Sequence, residues 1–234
     1  MKKRRGISSF LAVAVLAIVL LLSISGQAGA QLTYYFGESG EFGSGAQWGG
    51  VAPSGIWATA TFMDVGGNVE LTLSVDGSLP SGQFIGEWYF NYNGDASSLS
   101  IDDNGGGATT TTIGQLNDGY QADGDGLYDL WFNFDPQGNN KLTAGESMNY
   151  TIYGVTSSDF YLLAAPGTGS NGPFYAATKL QGISCDTNIA ACAAQGGTTS
   201  TWAAGVVPEP VSSTLFIVGA ATLGFRRFRK KFRK

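Results

Sequence analysis

The stretch Val69-Glu70-Leu71-Thr72-Leu73-Ser74-Val75 decides the fold. Its aliphatic residues alternate with Glu70, Thr72 and Ser74, a period of two. Side chains of a strand point alternately to opposite faces, so the pattern describes a strand with one face buried and one wet. Gly66-Gly67-Asn68 precedes the stretch and Asp76-Gly77 follows it, and such residues favour turns. Outward from this point the alternation returns repeatedly. Trp88, Phe90 and Tyr92 alternate with Glu87, Tyr89 and Asn91. Tyr128, Leu130, Phe132 and Phe134 alternate with Asp129, Trp131 and Asn133. Met148, Tyr150 and Ile152 alternate with Asn149, Thr151 and Tyr153. Weaker strand signals lie at residues 32–36, 56–65, 98–102, 109–113, 160–164, 174–183 and 200–206. Asn93-Gly94-Asp95 and Gly105-Gly106-Gly107 read as further turns. No long segment has a helical period. Many short strands with Gly, Asn and Asp turns predict an all-β body, a single antiparallel β-sandwich of jelly-roll-like form.

The two ends differ from this body. Lys2, Lys3, Arg4 and Arg5 precede an apolar run over residues 10–22, and Ala28-Gly29-Ala30 offers small residues before Gln31. That order predicts a signal peptide over residues 1–30. At the other end stand Val207-Pro208-Glu209-Pro210, an uncharged apolar run over 211–225, and Arg226-Arg227-Phe228-Arg229-Lys230-Lys231-Phe232-Arg233-Lys234. The apolar run predicts a short membrane helix, and the cation cluster after it favours the cytoplasmic face. Two prolines flanking Glu209 fix φ and remove backbone donors, which keeps that motif extended.

This tripartite tail, residues 207–234, resembles the PEP-CTERM sorting signal that exosortases of Gram-negative bacteria recognise. The resemblance implies an exosortase as partner and transient anchoring in the inner membrane. It further implies passage of the body, residues 31–206, to the cell surface or beyond. It also implies an exopolysaccharide-producing source, which makes extracellular polysaccharide a candidate partner.

Between the ends the chain is strongly acidic. Residues 31–206 hold two cations, Lys141 and Lys179, against 17 carboxylates, a net charge of −15. Such a body repels nucleic acid and anionic membrane surfaces. It attracts cations, although acidity also simply keeps an exported protein soluble.

Candidate chemistry is sparse. The chain contains no histidine, which removes Ser-His-Asp and Cys-His arrangements and His-ligated metals. Carboxylate chemistry of the glycosidase kind is what remains to an enzyme; acids are plentiful, and Glu87 beside Trp88 and Tyr89 is an arrangement that suits it. Such a Glu is more often the wet face of a strand, and the body reads as non-enzymatic. Cys185 and Cys192 are the only cysteines, and an exported body favours a disulfide between them. Asp118, Asp123, Asp125 and Asp129, in a loop over residues 117–129, are candidate calcium ligands. A second acidic loop, residues 135–146, has Asp135 and Glu146 at its ends but lacks the glycine an EF-hand needs. Turn formation accounts equally for both loops. Of the aromatics, Trp48, Trp57, Trp88, Trp131 and Trp202 fit core packing, or sugar stacking where exposed. The expected function is a structural or adhesive matrix protein; a carbohydrate-binding module or a carboxylate-based glycoside hydrolase are the alternatives.

Overall fold

The computed structural model describes residues 29–42, 50–134, 140–169 and 171–207. Nearly all of the signal peptide, Pro208, Glu209 and Pro210, the apolar run 211–225 and the cation cluster lie outside these residues, as do Trp48 and Asp135. No helix among the described residues is long and apolar enough to cross a membrane.

Twelve strands are described, in chain order β1 Gln31–Gly37, β2 Glu41–Phe42, β3 Ile56–Val65, β4 Asn68–Val75, β5 Phe84–Phe90 and β6 Ile101–Gly106. They continue with β7 Thr112–Gln121, β8 Leu127–Asn133, β9 Leu142–Thr143, β10 Ser147–Tyr153, β11 Ala176–Ser184 and β12 Thr198–Ala204. One short helix, α1, spans Ala190–Ala194. The strands form two antiparallel sheets. The first has the order β1-β3-β4-β10-β6, the second β2-β12-β11-β5-β8-β7. β9 pairs with β5 beyond the end of β8. Hairpins join β3 to β4, β7 to β8 and β11 to β12; most other connections cross from one sheet to the other.

The opening stretch behaves as its alternation requires. Val69, Leu71, Leu73 and Val75 are buried, and Glu70, Thr72 and Ser74 are half-buried on the outer face. Gly66 and Gly67 have φ of 59° and 85°, the left-handed pair that a two-residue hairpin needs to match strand twist. The core lies between the sheets and is rich in aromatics. Phe36 meets Trp88 edge-on at 5.3 Å, and Phe62 meets Phe90 at 5.1 Å. Phe132 lies 4.8 Å from Tyr150. Each pair joins one sheet to the other, and tilted or edge-to-face geometry suits the ring quadrupoles.

Several expectations need correction. The triplet Gly105-Gly106-Gly107 is not a turn, because β6 runs through its first two residues. Gly105, with φ of 81°, makes a bulge opposite Asn149 and Tyr150. A Cβ on Gly106 would lie 2.0 Å from the Ser147 carbonyl oxygen, so the backbones meet where a side chain cannot fit. The signal at 98–102 falls mostly before β6, and that at 109–113 marks only the start of β7. Residues 160–164 form no strand. Phe160 ends a 3₁₀ turn, Ser157–Phe160, and plugs into the core, where its ring stacks on Phe62 at 4.5 Å. Tyr161, Leu162 and Leu163 are exposed. The helix α1 has no counterpart among the expected elements, although four of its five residues are alanine, the best helix former. The cysteines are bonded, Cys185 to Cys192.

Candidate functional site

The outer face of the seven-stranded sheet carries the unusual chemistry of the body. Strand register puts Phe42, Trp202, Lys179, Glu87 and Asn133 in one row across five strands. A second row holds Ala204, Ala177, Tyr89, Trp131 and Gly114. The small residues of the second row leave room for rings. Tyr120 lies against Trp131 at 5.7 Å and occupies the space over Gly114 that a Cβ would take. Tyr89 lies 5.6 Å from Tyr128 and 5.5 Å from Trp202. These rings, with Phe42 and Ala164, form a second apolar cluster outside the main core.

Lys179 stands between Glu87 and Trp202 in that row. Its Nζ is 3.0 Å from Glu87 Oε1 and 5.1 Å from the Trp202 ring centre. The hydroxyl of Tyr89 donates to Glu87 Oε2. Burial, then the Glu87 charge, push the Tyr89 phenol far above its ordinary value. Glu87 therefore has both oxygens engaged, one by a cation and one by a phenol.

In the acidic loop, Asp125 and Asp129 accept hydrogen bonds from the chain itself. β7 runs into the loop, and four residues, 116–119, bulge out between Gln115, which faces Leu130, and Tyr120, which faces Tyr128. Asp129 fills this bulge. Its Oδ1 accepts the Asp118 N–H at 2.8 Å and its Oδ2 the Tyr92 N–H at 2.8 Å. Asp125 accepts the Asn171 N–H on Oδ1 at 2.8 Å and Asn171 Nδ2 on Oδ2 at 3.1 Å. Asp118 and Asp123 are both exposed, and both have left-handed backbone, φ 51° and 49°. Partial desolvation and then the neighbouring Asp125 charge raise the Asp123 carboxyl, partly offset by Lys179. Among the described residues no three carboxylates or thiolates converge as a metal set. Glu146, from the second acidic loop, closes its own turn by accepting the Thr143 N–H at 2.7 Å.

The loop between Tyr161 and Tyr175 crosses this side of the molecule. It is tied by Leu127 N to Ala165 O and by Ala164 N to Phe174 O, both 2.9 Å. Beside it opens a groove of about 530 Å³. Phe42 and Phe174, 4.7 Å apart, stand on one part of its wall, and Tyr161 stacks on Tyr175 at 4.6 Å on another. Glu41, Asn171 and the end of β12 through Val207 complete it. Sequence reasoning missed these residues. Phe42 sits in a two-residue strand, and Tyr161 and Tyr175 border a loop with no period, so no local pattern marks them.

The structure thus brings Glu87, Lys179 and Trp202 together, bonds the cysteines, and sets Asp125 and Asp129 on separate backbone partners while Asp118 and Asp123 are exposed. Compared with protein-family models, with curated proteins and with solved structures, the chain matches none.

Proposed function

We propose that this chain is an exported β-sandwich protein, jelly-roll-like in its sheet crossings, that an exosortase sorts through its C-terminal segment. The body then acts at the cell surface or in the matrix as a non-catalytic structural or adhesive component. The observation that carries this reading is the order of parts at the end of the sequence. Val207-Pro208-Glu209-Pro210 is followed by an uncharged run over 211–225 and by seven cations in the last nine residues, a PEP-CTERM-like arrangement. The cation cluster resists transfer through hydrocarbon, so the run halts export and holds the motif at the outer face of the inner membrane. The extended Pro-Glu-Pro segment then suits a protease groove that takes its substrate as a strand.

The end of the body supports this reading. Tyr35 and Val206 exchange two backbone hydrogen bonds, each 2.9 Å, immediately before the motif. The last described strand, β12, ends at Ala204, before the motif. An adhesive role fits the acidic, His-free body, whose best-placed Glu is held by Lys179 and Tyr89.

The test is fractionation and intact mass of a tagged chain expressed in an exosortase-bearing host. The wild type should lose residues 211–234 and leave the inner membrane. Replacing Pro208, Glu209 and Pro210 with alanine should leave full-length protein there. Wild-type protein that keeps its tail would make the segment a plain anchor and end this reading.

A further inference from the structure

We infer that the groove beside β2 and β12 is a binding site for a neutral saccharide chain. Its wall joins one exposed aromatic ring, Tyr161, and three less exposed ones to polar groups, and among the described residues it holds no cation. Tyr161 is 52 % exposed and its ring lies nearly parallel to Tyr175, at 8°. Half-buried Phe174, packed on the buried Phe42, adds a second aromatic part to the same wall. Glu41 is exposed on the wall, with one carboxylate oxygen accepting from Thr201 Oγ1 at 3.0 Å. Asn171 is oriented by two bonds to Asp125, one from its backbone N–H and one from its amide group, which leave its side-chain oxygen as an acceptor and its second amide N–H as a donor. Aromatic faces with a few fixed polar groups are how proteins hold and orient small ligands.

The chemistry of the wall selects among occupants. A pyranose ring has C–H faces that lie on aromatic rings and a rim of hydroxyls that donate to carboxylate and amide oxygens. A purely apolar ligand would bury the second carboxylate oxygen of Glu41 and the free amide atoms of Asn171 without partners, which is costly. An anionic ligand meets Glu41 and a body of net charge −15. The body's two cations stand elsewhere, Lys179 on Glu87 and Lys141 over the Phe84 ring. A peptide adding as a strand finds Val206 paired with Tyr35, and Trp202 and Ala203 with Phe42 and Glu41, which leaves it only the two-residue β2 at the end of the sheet. A volume of about 530 Å³ lies within the usual size range of ligand pockets. The site therefore takes a short run of uncharged sugar units, with Tyr161 as the exposed stacking face. This inference does not depend on how the body is exported.

The experiment is calorimetric titration of the full chain in lauryldimethylamine oxide micelles, a detergent with no sugar head group. The probes are cellohexaose, laminarihexaose and mannohexaose, with hexagalacturonate as the anionic and spermine as the cationic comparison. At least one neutral hexasaccharide should bind saturably, and Tyr161→Ala should weaken it roughly tenfold, the usual scale for an aromatic anchor. Because Tyr161 is exposed, that variant should melt with the wild type, which separates lost binding from lost folding. No binding of any neutral hexasaccharide overturns the proposal. So does equal binding by Tyr161→Ala, hexagalacturonate binding as tightly as the neutral chains, or binding of spermine alone.

Discussion

Asp129 shows how a buried acid can be structural. It is 7 % exposed and each of its oxygens accepts a backbone N–H, one from the β7 bulge and one from the chain after β5. Asp129→Ala strands both donors. Each unmade buried bond costs roughly 1–3 kcal/mol, so the variant should lose about 2–4 kcal/mol in urea unfolding. Exposed Asp118, replaced by Asn, should change stability by less than about 0.5 kcal/mol, because Asn also tolerates left-handed backbone. Equal losses at the two positions would contradict the division of roles. The acidity of this loop is legible in the sequence, but its use is not. The partners of Asp129 and Asp125, Tyr92 and Asn171, lie 37 and 46 residues away, beyond any local pattern. Glu87 is similar: the sequence places it on a strand beside aromatics, but only the pairing of β5 with β11 brings Lys179 to it.

Strands announce themselves where one face is buried and the other wet, because burial then writes a period of two. β4 and β10 are such strands, and β3 matches its expected span, residues 56–65. The signal fails where a strand is two residues long, as in β2 and β9, or is interrupted, as in β7 with its four-residue bulge. Glycine misleads in the same way, since in β6 it marks a bulge and a close backbone approach inside the strand. The connection between β11 and β12 adds an element-level test. Its disulfide joins residues seven apart and encloses the start of α1. Replacing Cys185 and Cys192 with serine should cost about 2–3 kcal/mol by loop-closure entropy. The loss should appear as a lower melting temperature with the far-ultraviolet spectrum of the sheets unchanged at 25 °C. A variant that melts with the wild type would mean that the loop is held without the bond. Two free thiols in the non-reduced, alkylated wild-type protein would remove the bond itself.

At the scale of the whole molecule, buried phenols set the alkaline limit of the fold. Tyr34, Tyr89, Tyr128 and Tyr150 are each at most 4 % exposed, and burial is the first cause raising the pKa of each. Neighbouring charge adds to it, from Glu87 for Tyr89 and from Asp125 for Tyr128. The sign follows from proton counting. Below the ordinary tyrosine value of about 10, folded and unfolded chains both hold these protons, and the contribution to stability is complete. Above it the unfolded chain releases them while the folded chain keeps them, so stability falls as pH rises toward the folded pKa values. Each such group removes roughly 1.4 kcal/mol per pH unit, so the four together remove roughly 5–6 kcal/mol per unit. The urea midpoint should therefore stay level to about pH 9.5 and then drop steeply above about pH 10. Tyr128→Phe is the discriminating variant, because its hydroxyl has no hydrogen-bond partner among the described residues and its loss leaves no donor or acceptor stranded. It should fold at neutral pH and lose stability about a quarter less steeply above about pH 10. Tyrosinate absorbance that rises to completion while the sheets remain folded would show that these phenols titrate in place, and the predicted limit would then be wrong.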